Sequence, residues 1–197
     1  MPAGAELNLC LIAKGTILGG FDLGIAAGER VGIRGRSGIG KSTLLRILAG
    51  LDHDYLGHLA HGAQRPAMVF QAPTLLPWRS IRDNIALAAP DGDGPQTLLK
   101  ALGLGQCAAM FPAHLSLGMQ RRAALARAMA ARPDILFLDE PFASLDGESA
   151  ALCHALLDSY AGTLVLVSHD DDDIRRQCSR RLTLDGQPAA ITADDGL

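Results

Sequence analysis

The chain has 197 residues, 48% of them apolar, and a formal net charge of −3. That length suits one α/β domain with a full core, and the slightly acidic balance argues against a general nucleic-acid binder. Mean hydropathy is +0.17, yet no run reaches the roughly 18 uninterrupted apolar residues of a membrane span. The longest candidate, Ala123 to Ala131, is cut by Arg127. The segment Met1–Glu6 lacks the basic-then-apolar pattern of a secretory leader. Strands are predicted over Leu7–Ile12, Thr16–Leu18, Val31–Ile33 and Met68–Phe70. Between the last two, Leu51–Arg65 reads as a connection with His53, His58 and His61 exposed in a loop. Without carboxylate or thiol partners they make a poor metal set.

Helix signals then replace strand signals. Ser80-Ile81-Arg82-Asp83 reads as a capping box, Asp91–Pro95 as a turn-rich break, and Gln96–Leu102 as a second helix ending near Gly103. Ser116–Ala131 is a third, longer helix rich in Ala and Arg. Ile135–Leu138 and Leu164–Val167 are apolar at every position, as central parallel strands covered on both faces must be. Gly147–Tyr160, with apolar residues at helical spacing, joins them into a βαβ unit. Arg181–Leu184 is the last predicted strand, and the run Asp170–Asp173 favours a helix N-terminus. The four cysteines, at positions 10, 107, 153 and 178, show no metal-ligand spacing and read as free thiols. The expected fold is α/β with a mostly parallel sheet. Residues 1–71 and 132–197 form the core, and 72–131 an inserted α-helical subdomain.

Gly35-Arg36-Ser37-Gly38-Ile39-Gly40-Lys41-Ser42 is a full Gly-x4-Gly-Lys-Ser/Thr phosphate-binding loop. It stands between the strand Val31–Ile33 and the helix-like run Thr43–Ala49. The glycines let backbone N–H groups turn around phosphate oxygens, and the following helix directs its positive dipole end at the anion. Gly35 through Thr43 is thus the candidate triphosphate site, with Lys41 reaching the β- and γ-phosphates and Ser42 holding Mg2+. Asp139 and Glu140 end an apolar strand at the sheet edge where ligands bind. Asp139 is expected to hold Mg2+ through water, and Glu140 to orient or deprotonate the attacking water.

These motifs, with Val69-Phe70-Gln71, Leu115-Ser116-Leu117-Gly118-Met119-Gln120-Arg121-Arg122, Ala143-Ser144-Leu145-Asp146 and Val167-Ser168-His169-Asp170, resemble those of the nucleotide-binding ATPase subunits of ABC transporters, in family order from about Leu7 to Leu184. The resemblance implies a P-loop NTPase core with a small antiparallel β portion. It implies that Gln71 contacts Mg2+ and the attacking water, and that His169 reaches the γ-phosphate. Ser116, Gly118 and Met119 would meet ATP held by a second copy, with Asp146 at the dimer seam; Ser116 and Asp146 read equally as helix caps. Leu75-Leu76-Pro77-Trp78 is similar to importers of the nitrate, sulfonate and taurine class. It implies transmembrane permease subunits docking near Gln71 and Trp78, a solute-binding protein acting through them, and a place at the inner face of the membrane.

The chain departs from the family in four places, one of them Arg121, which stands where a glutamine is usual. Leu117 replaces a glycine that permits close approach to phosphate. Leu11–Lys14 stands where an adenine-stacking aromatic is expected. The Leu51–Arg65 segment is short, so the antiparallel β portion is expected to be trimmed. A soluble, non-transport ATPase of the same family and a hydrolysis-impaired module stay open as other readings at this point.

Overall fold

In the computed structural model the described residues are 4–89 and 94–197. Most of the turn expected at Asp91–Pro95 lies outside them. The core is a six-stranded sheet ordered β5-β6-β7-β3-β8-β9. It contains β3 (Arg30–Arg34), β5 (Pro66–Val69), β6 (Ile135–Asp139), β7 (Thr163–Val167), β8 (Arg180–Gly186) and β9 (Ala189–Gly196). All pairings are parallel except that of edge strand β9 with β8. Every residue of β6 and β7 is buried. Alternation sorts their side chains onto two faces: Ile135, Phe137, Val165 and Val167 join one apolar cluster, while Leu136, Leu138, Leu164 and Leu166 join the other.

The first cluster is closed by α1 (Lys41–Leu48), through Leu44, Leu45, Ile47 and Leu48, and by a three-stranded antiparallel sheet. That sheet is β2 (Phe21–Ile25), β1 (Leu7–Ala13) and β4 (Leu56–His61) in the order β2-β1-β4. The second cluster is closed by helices: α2 (Ile81–Ala86), α3 (Pro95–Ala101) and α4 (Leu117–Ala130), all between β5 and β6, then α5 (Gly147–Asp158) and α6 (Asp171–Gln177). Ser80 Oγ accepts the Asp83 N–H at 3.1 Å to start α2. Ser116 does the same for Met119 at 3.3 Å to start α4.

Three expectations are corrected. Thr16–Leu18 is not a strand: the Leu18 carbonyl accepts the Lys14 N–H at 2.9 Å, closing a tight turn. The strand lies further on, at β2, where Asp22 and Gly24, poor strand formers, face outward and masked the alternation. Leu51–Arg65 is not a loop throughout: Leu56–His61 forms β4 of the antiparallel sheet. His58 and His61 sit on β4, whose Leu-Gly-His-Leu-Ala-His sequence becomes a strand by pairing with β1. The last predicted strand is followed by β9, which carries little apolar signal and is held by β8 and by ion pairs such as Arg180–Asp194 at 2.6 Å.

Candidate nucleotide-binding site

The parallel register places the C-terminal ends of four strands side by side: Ile33 and Asp139 both pair with Val167, and Val69 pairs with Leu138. The residues just beyond those ends are therefore neighbours. They are Gly35 after β3, Gln71 after β5, Glu140 after β6 and His169 after β7. Between β3 and α1 the loop turns through Gly38 at φ +77° and Gly40 at φ +113°, values at which an L side chain is strained. A Cβ on Gly40 would stand 2.9 Å from Leu18 Cδ2 and 3.0 Å from Ile17 Cγ2, so the glycine lets the Lys14–Leu18 turn close onto the loop. Lys41 Nζ donates to the carbonyls of Gly35 (2.8 Å) and Arg36 (3.1 Å) and so spans the start of the loop. Ion pairs from Arg34 to Asp171 (2.7 Å) and from Arg36 to Asp185 (3.2 Å) anchor it to α6 and β8.

Facing α1, Asp139 is buried and its Oδ1 accepts the Ser42 hydroxyl at 3.0 Å. Burial pushes its carboxyl above the ordinary carboxylate range, and the Ser42 bond opposes this. Glu140, at φ +52°, places Oε2 2.7 Å from His169 Nδ1. That bond holds the His169 imidazole above its ordinary range. A carboxylate only accepts, so Nδ1 is the donor. A cleft of about 300 Å³ collects Ser37, Gly38, Gly40, Lys41, Ser42, Thr43, Gln71, Asp139 and Glu140, with Ile17 over one wall. Ser42, Asp139 and Gln71 bring hydroxyl, carboxylate and amide oxygens to that cleft, an all-oxygen donor set that fits Mg2+. A larger cavity of about 520 Å³ lies at the other end of the strands, near Arg65, Pro133 and Gly162, away from these groups.

The remaining predicted residues lie elsewhere. Gly35 and Arg36 line an adjoining cavity with His169, and Ile39 packs inward against the core. Ser116, Gly118 and Met119 do not line the cleft. Ser116 is exposed as the N-cap of α4, and Met119 packs against the helical layer. Leu117 is 49% exposed, turned outward. Asp146 caps α5, accepting the Ser149 N–H at 2.7 Å, while Arg121 donates to the Ala143 carbonyl in the segment before it. Trp78 is 70% exposed. Its turn is held from behind by buried Asn84: Oδ1 accepts from the Leu76 N–H (2.8 Å), and Nδ2 donates to the carbonyls of Leu76, Arg79 and Ser80. Among the described residues no group of three His, Cys, Asp or Glu side chains is arranged to hold a metal, His53, His58 and His61 included. Ile17 was missed as a cleft residue; Gly15, Gly19 and Gly20 around it are the signal for a turn there.

A sequence profile described as "ABC transporter" matches residues 18–143. The chain is 38% identical over 187 residues to the aliphatic sulfonates import ATP-binding protein SsuB 1 of Pseudomonas syringae pv. syringae, covering 91% of this chain and 79% of that protein. It is 42% identical over 177 residues to the aliphatic sulfonates import ATP-binding protein SsuB of Granulibacter bethesdensis, covering 86% and 74%. The fold superposes with a TM-score of 0.83 on a dimeric ATP-binding cassette in a post-hydrolysis state bound to ADP and Pi, at 26% identity and 98% coverage of both chains. A second solved structure, the ATP-binding subunit of an ABC transporter, gives 0.84 at 22% identity, with 97% and 90% coverage. With these motifs gathered at one sheet edge, the chain belongs to the ABC transporter family and is an ATP-binding, ATP-hydrolysing subunit of it.

Proposed function

We propose that the chain drives an importer, working as a pair of copies against membrane permease subunits. The observation that carries this is the split of the predicted machinery. Lys41, Ser42, Asp139, Glu140 and Gln71 line one cleft, and His169 joins them through its bond to Glu140. Ser116 and Leu117 face solvent on α4. A second copy supplies the missing half, the α4 N-terminus meeting the γ-phosphate with its dipole. The relatives named for sulfonate import make an aliphatic sulfonate the first solute class to assay.

In the cleft, loop N–H groups and Lys41 bind the β- and γ-phosphates, while Ser42, Asp139 and Gln71 hold Mg2+. Bound there by Ser42, Asp139 and Gln71, the ion would supply positive charge against the phosphate oxygens. Glu140 takes the proton of the attacking water. His169, bonded through Nδ1 to Glu140, has Nε2 left to face the γ-phosphate, where it donates whenever the ring is protonated. Its move toward phosphate releases the Glu140 carboxylate to act as base. No helix among the described residues is long and apolar enough to cross a membrane, so the chain's place at the membrane rests on Trp78 and its turn gripping a permease. Purification of the tagged chain from detergent-solubilised membranes tests this: a co-purifying permease is expected, lost in Trp78→Ala. An active ATPase that brings down no membrane protein would favour the soluble reading.

A further inference from the structure

The acid run Asp170–Asp173 divides its work. Asp170 caps α6, accepting the Asp172 N–H at 2.8 Å. Asp171 pairs with Arg34, and Asp172 with Arg175 at 3.5 Å. Asp173 turns inward. Its Oδ2 accepts the Ser168 hydroxyl at 3.2 Å, and its Oδ1 lies 3.2 Å from His154 Nε2. Ser168 is 2% exposed and immediately precedes His169; its Oγ also accepts the Asp170 N–H at 3.0 Å. His154, on α5 and 5% exposed, stacks on Phe142 with ring centroids 4.1 Å apart and planes at 27°. Phe142 stands two residues after Glu140.

The hydrogen bonds settle the state of this imidazole. The Arg30 guanidinium only donates, so the Gln177 atom it meets is Oε1. The Gln177 amide nitrogen then donates to Asp158 Oδ1 at 2.9 Å and to His154 Nδ1 at 3.1 Å. Nδ1 is therefore the acceptor, and the ring proton sits on Nε2, donated to Asp173. A second ring proton would oppose the Gln177 amide hydrogens. Burial holds the imidazole below its ordinary range, helped by Arg176 and opposed by Asp173 and Asp158.

We infer that His154 is a positioning residue for hydrolysis: its neutral ring, seated between Phe142 and the Asp173–Ser168 pair, fixes the Glu140 and His169 segments relative to each other. The inference rests on the roles given to Glu140 and His169. It is tested with His154→Phe, which keeps the ring and loses the donor, and His154→Gln, whose amide can both donate to Asp173 and accept from Gln177. Steady-state ATPase and thermal melting of the full chain are the readouts. His154→Phe should lower kcat about tenfold while KM for ATP stays within about twofold, and His154→Gln should recover most of the loss. Ser168→Ala cuts the same chain of bonds from the other side and should lower kcat alone, which decides the matter if His154→Phe does not fold. Wild-type kcat in a folded His154→Phe, an equal loss in the Phe and Gln variants, or a loss confined to KM would overturn the inference. Glu140→Gln run alongside separates the two layers. If it turns over normally, the base assignment fails; if it is dead while His154→Phe is fully active, only the positioning role fails.

Discussion

Glu140→Gln separates binding from chemistry most sharply. The side chain reaches the cleft from the end of a fully buried strand, and the amide can occupy the same space at the same backbone φ. On the proposed reading phosphate contacts come from the loop and Lys41, so ATP affinity should stay near wild type. Removing a general base costs about 10²–10⁴ in rate, or ~3–5 kcal/mol of barrier. The competing explanation is that the variant merely loosens His169. Replacing a charge-assisted acceptor by a neutral one costs about 1 kcal/mol, and less here, because the His169 side chain is 70% exposed to screening solvent. The two magnitudes are far enough apart to decide. Single-turnover phosphate release under saturating ATP should fall to about 1% or below, and the His169 titration midpoint should move down toward an ordinary imidazole's. Turnover within about threefold of wild type would refute the role of Glu140 as base.

Gly40→Ala combines a φ that L residues avoid with the contact to Leu18 Cδ2 at 2.9 Å. Together these cost about 2–4 kcal/mol. A melt should show Tm lowered by roughly 5–15 °C, with ATP binding lost; a Tm within a degree or two of wild type would contradict the loop geometry. The Asp139 carboxyl is raised by burial, so the folded chain holds that proton more tightly than the unfolded one. Stability is therefore lost as pH rises from the unfolded value through the folded one. A cation held by the ionised carboxylate relieves this, so Mg2+ should raise Tm more at pH 7 than at pH 4; an equal effect at both would exclude Asp139 as a ligand. Leu117→Gly should leave the fold intact, at a helix cost below ~1 kcal/mol. If the leucine crowds the phosphate held by the second copy, steady-state turnover should rise by up to about tenfold; an unchanged rate would show that the side chain turns clear.

What could be read from the sequence followed the strength of local signals. β6 and β7 were legible because strands buried on both faces tolerate only apolar residues. The loop was legible because phosphate demands glycines at fixed spacing. β4 was not, because Leu56–His61 has no strand pattern of its own and is made a strand by its partner β1. β9 is an edge strand whose polar residues pair across to Arg180 and Arg181. Ile17 escaped as a cleft residue because apolarity alone suggested a strand, whereas the glycines around it fold it back over the loop. The His154–Asp173 pair lies 19 positions apart in the chain, on two helices, and only the packing of α5 against α6 brings them together.

Asn84 gives the exposed turn at Leu75–Ser80 an energetic meaning. A surface loop that orders only on contact surrenders conformational entropy to its partner's grip, and part of the binding free energy is spent on stiffening it. Here the stiffening is already done by one buried amide from within α2. A force applied at Trp78 therefore meets a lever and not a tether. On the proposed reading, displacement of a permease element gripping Trp78 would pass to α2 and the helical layer as rigid motion, on the same stretch of chain that begins at Gln71.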